Sequence, residues 1–426
     1  MQILVLGAGG FIGRHIVAEL LAAGHVVVGV ARSAKALVAA FSQATFVALD
    51  LAKAVSPEDW SIHLSDMDVV VNAAGLLRGP DMQAVHVDMP KALHEAAVAA
   101  AVRRIVLISA ISARDDVATD YSVSKLAGEA ALRTSGLDYT ILRPSLVYGD
   151  GSYGGTSLLR GMACLPWIVP LPGRGDFAFT PIHVNDLART VRIACEGEVP
   201  PRQTLELVGP ETISLKGLLA RYRAWLGFGS ARFVSVPMPL LRLLGHVGDL
   251  VGDGPISTNS LTQMVAGNAG DSEAFAKAVG FTPRRLDAAL RDRPAQVQDR
   301  WHARLFFLAP TLQAALILMW LGSAWLGLRY GAPQTEALVR SLGLPMAWAA
   351  PMRIGSSVLE ILVAAELLFG RSAARAALVQ LTIVCGYTVV IGVALPQLWL
   401  DPLGPLLKNL PVMLAIAVYG VIGNKR

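Results

Sequence analysis

Cysteine is nearly absent from this 426-residue chain: there are three, Cys164, Cys195 and Cys385. They lie far apart, form no CxxC and share no zinc-like spacing with histidine, so neither a disulfide framework nor a metal site is expected. Charge is also scarce, at 16% against about 25% in a typical globular protein. The scarcity is local. No charged residue occurs in 305–328 and none in 376–400, and each run exceeds the ~20 residues that span a bilayer as a helix. No long basic run accompanies the formal charge of +5, which argues against nucleic acid as a partner. The first residues lack the basic and apolar regions of a secretory leader. The soluble part is therefore expected to face the cytoplasm.

What the chain does contain is an alternation of apolar strands and helical stretches. Strands are predicted at Gln2–Leu6, Val26–Ala31, Thr45–Ala48, Val69–Asn72, Arg104–Ser109 and Tyr139–Leu142, with helices between them, as in Ile12–Ala23 and Pro90–Ala101. That order predicts an α/β fold with a doubly wound parallel sheet. Residues 146–295 are richer in Pro and Gly, and read as a small substrate lobe completing a domain over 1–295. A polar connector, 296–304, leads to an all-α four-helix transmembrane bundle within 296–426, with spans near 305–328, 347–370, 376–400 and 403–423. Four spans put both ends on one side. Arg300, Arg304, Arg371, Arg375, Lys425 and Arg426 would then face the cytoplasm, opposite Arg329, Arg340 and Lys408. A multi-pass protein of the cytoplasmic membrane is expected.

Gly7, Gly10 and Gly13 fit G-x-x-G-x-x-G directly after a strand and at the start of a helix. Gly7 permits the tight turn, Gly10 lets the backbone approach a pyrophosphate, and Gly13 allows helix and strand to pack closely. The phosphates would then meet the free amides at the helix start, around Phe11, Ile12 and Gly13. The second strand ends in VGVARSAK, with Arg32 and Ser33 and no acid nearby. A carboxylate there binds the ribose 2′-hydroxyl of NAD, whereas arginine binds a 2′-phosphate. NADP(H) is favoured, with NAD(H) as the alternative. Asp50, beside Leu51 at the end of the third strand, is placed to meet the adenine amine or to cap a helix. Asn72, Ala73, Ala74 and Gly75 close the fourth strand beside the cofactor. Tyr121 and Lys125, in YSVSK, share one helix face. An ammonium near the phenol would help Tyr121 exchange a proton with a substrate oxygen.

These motifs, GAGGFIG, NAAG, YSVSK, LRPSLVYG (142–149) and PIHVNDLA (181–188), resemble the short-chain dehydrogenase/reductase superfamily over about 1–295. The likeness is to its extended and atypical branches, which resemble epimerases and dehydratases. It is nearest in pattern to the group that includes the accessory NAD(P)H-binding subunit of respiratory complex I. The resemblance implies tyrosine as acid/base and lysine as the residue that holds the ribose and tunes the tyrosine, roles that fall on Tyr121 and Lys125. It also implies an orienting serine. Ala110 stands where that serine is expected, and Ser109 and Ser112 flank it as candidates. His86 stands where relatives often have asparagine, and a packing role is expected for it.

Residues 300–426 resemble the DoxX-like family, through the four-span layout and DPLGPLLKNLPVML (401–414). That family implies quinone or redox links. Glu360 and Glu366 fall in the second span, where a charge needs a partner; Lys408 or Arg353 could supply one to Glu360. Trp167, Phe177 and Phe179 could line an apolar pocket or simply pack. The combined expectation is a membrane-anchored NADP(H)-dependent oxidoreductase acting on a carbonyl or alcohol of a lipophilic substrate, or on a quinone. The alternatives are a non-catalytic NAD(P)H-binding scaffold or redox-sensing subunit of a membrane complex, and a nucleotide-sugar epimerase or dehydratase.

Overall fold

The computed structural model describes residues 1–151, 153–251, 258–370, 372–402 and 404–423. The chain divides into two compact units, Met1–Ala303 and Arg304–Arg426. Of the charges read for topology, Arg371, Lys425 and Arg426 lie outside the described residues, as does Leu403 at the start of the fourth expected span.

In the first unit the strands are β1 (Gln2–Leu6), β2 (Val26–Ala31), β3 (Thr45–Ala48), β4 (Val69–Asn72), β5 (Arg104–Ile108), β6 (Asp138–Pro144) and β7 (Gln203–Leu207). The helices that matter here are α1 (Phe11–Ala22), α2 (Lys35–Ala40), α3 (Glu58–Leu64), α4 (Met89–Ala99), α5 (Asp120–Arg133) and α6 (Val184–Glu196). The seven strands form one sheet in the order β7-β6-β5-β4-β1-β2-β3, every pair parallel. A parallel sheet covered on both faces reads as continuous Val, Ile and Leu, and β1 shows why. Ile3 and Val5 pack with Ile16, Val17 and Leu20 of α1 and with Leu187 and Val191 of α6. Leu4 and Leu6 pack on the other face with Trp60 of α3 and with Met89 and Leu93 of α4. The strand order reverses between β1 and β4, and ligands of open α/β sheets bind at such a switch point, outside the carboxyl ends of the strands.

The lobe over residues 146–295 has its own core, built on Tyr148, Leu159, Val169, Leu171, Phe179, Leu218 and Tyr222. Three two-stranded ribbons frame it: 147–148 with 182–183, 168–172 with 232–236, and 178–179 with 213–214. Not everything after residue 146 belongs to this lobe, because β7 and α6 complete the main sheet and its helical layer.

The second unit is helical. The first apolar segment lies in one 34-residue helix, Val297–Tyr330, so the polar connector is itself part of a helix. A helix over Ala332–Ser341 follows, which the apolar pattern does not announce. Next come Ala349–Phe369, Ala373–Ala394 and Asn409–Ile422. The third apolar run is broken at Ala394 because Pro396 cannot continue the helix. Among the described residues, Val297–Tyr330 and Ala373–Ala394 are long and apolar enough to cross a membrane. Leu316, Trp320, Val363, Leu367, Val384 and Ile416 pack inward. Leu318, Leu378 and Val393 instead point outward, 70%, 66% and 76% exposed, a pattern suited to lipid rather than water.

Glu360 is buried and accepts a hydrogen bond from Ser323 Oγ at 2.9 Å. It does not pair with Arg353, whose guanidinium donates to the Leu328 carbonyl at 2.5 Å; a short serine on the neighbouring helix supplies the contact instead. Glu366 pairs with Arg375 at 2.7 Å.

Candidate active site

The glycine motif sits at the switch point. Gly7 has φ +73°, and a Cβ there would lie 2.9 Å from the Ala73 carbonyl oxygen. At Gly13 a Cβ would lie 2.1 Å from the Gly7 carbonyl oxygen, so no side chain fits without parting strand and helix. Gly10 caps α1 with extended backbone, no side chain caps the helix, and its first turn holds no acid. The amides of Phe11, Ile12 and Gly13 are therefore free for an anion, with the helix dipole behind them. This cradle fits a dinucleotide pyrophosphate.

Arg32 and Ser33 follow β2 directly, and both are exposed. Arg32 has no ion-pair partner among the described residues. Asp50 is exposed and accepts from the Ala52 amide at 3.3 Å, closing a short turn that also places Leu51; no helix starts there. Asn72 is buried at the end of β4, where its Oδ1 accepts from the Ala74 amide at 3.1 Å. That bond fixes the path of Ala73, Ala74 and Gly75 beside the glycine turn.

Thr119 sets the start of α5 by accepting from the Ser122 amide, and Ser122 Oγ donates to the Ser112 carbonyl at 2.6 Å. These bonds fix which face of α5 carries Tyr121 and Lys125. Lys125 is buried and donates to the Ile108 carbonyl at 3.1 Å, and its Nζ would lie 3.2 Å from a Cβ on Gly75. It stands 6.0 Å from the centre of the Tyr121 ring. Burial pushes Lys125 down to about 8, with Glu129 acting the other way, and pushes the Tyr121 phenol up to about 12. At neutral pH the phenol thus keeps its proton despite the nearby ammonium.

The two candidate serines differ. Ser109 Oγ donates to Glu129 Oε1 at 2.6 Å, so its hydroxyl is committed to a buried ion cluster. Ser112 is buried beside the start of α5, and its backbone carbonyl, not its hydroxyl, makes the recorded bonds. The geometry brings Tyr121, Lys125, His86 and Gly75 together. His86 lies in a π-helical turn, Ala84–Asp88. Its Nε2 accepts from the Leu76 amide at 3.0 Å, so Nδ1 carries the proton and donates to Ser124 Oγ at 2.9 Å. Gly128 lets α5 press on this turn, since a Cβ there would lie 2.3 Å from the His86 carbonyl oxygen. His86 thus pins the Asn72–Gly75 loop to α5, a tie that no local spacing reveals. Of the aromatic trio, Phe179 is buried and Phe177 packs on the lobe core, whereas Trp167 is 82% exposed.

Three buried imidazoles give the first unit a pH dependence. Burial, then the charge of Lys125, pushes His86 down to about 3. Burial lowers His94 to about 4, and burial with Arg284 lowers His183 to about 4. An unfolded histidine titrates near 6.5. As pH falls, the unfolded chain takes up these protons first. The stability is whole above pH ~6.5 and drains away toward pH 4, by on the order of 3 kcal/mol per histidine. Thermal melts of the purified protein should lose midpoint steeply between pH 7 and pH 5; a flat profile would count against neutral burial of these rings.

Residues 7–161 match a family described as NAD(P)H-binding, and residues 317–417 match the DoxX-like family. The chain joins an NAD(P)H-binding Rossmann domain to a DoxX-like domain. The NAD(P)H-binding domain carries the glycine cradle, and the DoxX-like domain with its apolar helices marks a membrane protein. A ceramide reductase of Caulobacter vibrioides is 29% identical over 200 residues, 46% of this chain and 62% of that protein. The chain thus spans less than two thirds of that relative. NADH dehydrogenase [ubiquinone] 1 alpha subcomplex subunit 9 of Mus musculus is 27% identical over 263 residues, 59% of this chain and 67% of that one. A double mutant of the dTDP-glucose 4,6-dehydratase DesIV from Streptomyces venezuelae, solved with NAD, superposes with a TM-score of 0.54 at 20% identity, covering 71% of this chain and 97% of that one. That likeness establishes the fold alone.

Proposed function

We propose that this protein is a membrane-anchored, NADP(H)-dependent oxidoreductase that reduces a carbonyl carbon of a lipophilic molecule, or oxidises the matching alcohol. Its catalytic domain comprises residues 1–295. A four-span domain over 296–426 holds it at the cytoplasmic face of the cell membrane. The observation that carries the reading is the approach of Lys125 to Gly75, with Tyr121 beside Lys125 and His86, at the switch point that also holds the glycine cradle. The amides at the start of α1 would hold the phosphates of a nicotinamide dinucleotide, and Arg32 would hold a 2′-phosphate. Lys125 would bind the ribose and bias the phenol of Tyr121, and the cofactor, when bound, would supply or accept the hydride. A phenol that keeps its proton at neutral pH is suited to donate it to a substrate oxygen as that carbon is reduced. Ser112, with its hydroxyl outside the Glu129 cluster, is better placed than Ser109 to orient the substrate. The similarity to a protein named ceramide reductase supports a lipid-like substrate. The test is NADPH oxidation by detergent-purified protein across long-chain ketones, ceramide-like lipids and quinones. Absence of turnover on every class removes the reading.

Arg32→Asp should reverse the nucleotide preference. Loss of a charge-assisted bond to phosphate, and gain of a repulsive carboxylate, should weaken NADPH by roughly 10- to 100-fold and spare NADH. Binding titrations with both nucleotides check this, and equal weakening of the two would remove Arg32 from the 2′-phosphate site.

A second reading is a nucleotide-binding subunit without turnover. It is favoured by Ala110, by the engagement of Ser109 with Glu129, and by the similarity to a complex I subunit. It requires retained nucleotide, no substrate-dependent oxidation, and co-purifying membrane partners.

A further inference from the structure

The first unit carries an apolar surface that its own fold leaves uncovered. The helix Met238–Val251 reads MPLLRLLGHVGDLV. Leu240, Leu243 and Leu244 share one face at i, i+3, i+4 spacing and are 48%, 60% and 45% exposed. Arg242, His246 and Asp249 occupy the opposite face, and all three are exposed. Exposure on both faces means that the helix lies on the outside of the lobe. It starts where the ribbon 168–172/232–236 ends, since the Gly173 amide donates to the Val236 carbonyl and Met238 lies against Gly173. On that ribbon Ile168 pairs with Arg232 and Pro170 with Val234, which places Ile168 and Val234 on one face, 53% and 44% exposed. At its end stands Trp167, 82% exposed with φ +59°. A left-handed conformation costs a bulky residue about 1–2 kcal/mol, and no burial within the protein compensates it.

We infer that the apolar face of Met238–Val251, together with Trp167, Ile168 and Val234, rests in the headgroup region of the bilayer to which the chain is tethered. Three observations select lipid as the occupant. The surface has the amphipathic pattern of an interfacial helix, with one leucine face and one charged face. An exposed tryptophan and the exposed Arg232 border it, the residue types that favour a membrane interface and anionic headgroups. The same chain enters the apolar helices of the DoxX-like domain about fifty residues later, so a bilayer is always within reach. Beyond the helix, Ser260 accepts from Arg78 at 3.5 Å and the Ala266 carbonyl accepts from Arg114 at 3.1 Å, so this part of the lobe is tied to the loops that follow Gly75 and Ser112.

The test uses the wild-type chain in vesicles of phosphatidylethanolamine and phosphatidylglycerol that contain a phospholipid with a photoreactive acyl chain. After illumination, lipid adducts are mapped by mass spectrometry, and adducts within 305–328 and 376–394 serve as the internal control for insertion. Adducts at 238–251 and 167–168 are expected, and Leu243→Asp combined with Leu244→Asp should reduce those at 238–251 to background while the control adducts persist. Adducts confined to the spans overturn the inference. Neither residue substituted belongs to the candidate site. Failure of this test therefore leaves the oxidoreductase reading standing, and loss of turnover elsewhere leaves this one standing.

Discussion

Tyr121→Phe should leave nucleotide binding intact and lower turnover by about 10²- to 10⁴-fold, the usual contribution of a positioned general acid. The substitution removes one oxygen from a ring that packs edge-on against His86 at 5.7 Å between centroids. Packing and the pose of α5 are kept, because Thr119 and Ser122, not the phenol, set the register of that helix. The loss should fall on kcat, with KM and nucleotide affinity within a few-fold of wild type. Lys125→Met offers a contrast, since removing the ammonium should weaken nucleotide binding as well. Single-turnover NADPH oxidation with the best lipophilic ketone separates the two variants. Full activity in Tyr121→Phe would move the proton transfer to another group.

Glu129→Ala should destabilise the first unit by about 3–5 kcal/mol, the cost of breaking a buried ion pair from one side. The Glu129 side chain is fully buried. It accepts from Ser109 Oγ at 2.6 Å, from Arg143 Nε and Nη2 at 2.8 and 2.6 Å, and from Arg133 Nη2 at 2.8 Å. Burial alone would raise its titration point, but the bonds from Arg143, Ser109 and Arg133 outweigh burial and hold the carboxyl below its ordinary range. Removal strands the Arg143 guanidinium and the Ser109 hydroxyl together, and unties β5, β6 and α5 at once. Glu129 also opposes the downward push on Lys125. A variant that still folds should therefore lose activity at a lower pH on the alkaline side. Denaturant titration measures the first effect and a pH–rate profile the second. A loss below about 1 kcal/mol would show that the cluster is relaxed by water.

The sheet was readable because strands buried on both faces declare themselves as runs of Val, Ile and Leu; β1 to β4 fall at their expected ends. The glycine turn was readable because its steric demand is local. The clash that forbids a side chain at Gly13 involves Gly7, six residues away. The fate of Ser109 was not readable, because its partner Glu129, itself held by Arg143, is distant in sequence and meets it only when α5 docks. The same holds for His86, whose two bonds reach Leu76 and Ser124. Composition could not place β7 in the main sheet either, since QTLEL carries no mark of the strand it will join. In the apolar region, hydropathy located the segments but not their ends. Pro396 stops one helix inside an uncharged run, and the helix over Ala332–Ser341 is too polar to register as a span.

The late arrival of β7 has a consequence for synthesis and for engineering. The outer edge of β6 stays bare until residues 203–207 emerge from the ribosome and dock on it. An unpaired strand edge invites partners from other chains. A fragment cut at residue 161, where the nucleotide-binding match ends, would keep the glycine turn and the start of α1 yet carry that raw edge into solution. Aggregation of such a fragment would report a missing neighbour rather than a defective nucleotide fold, and a useful excision must run past Leu207.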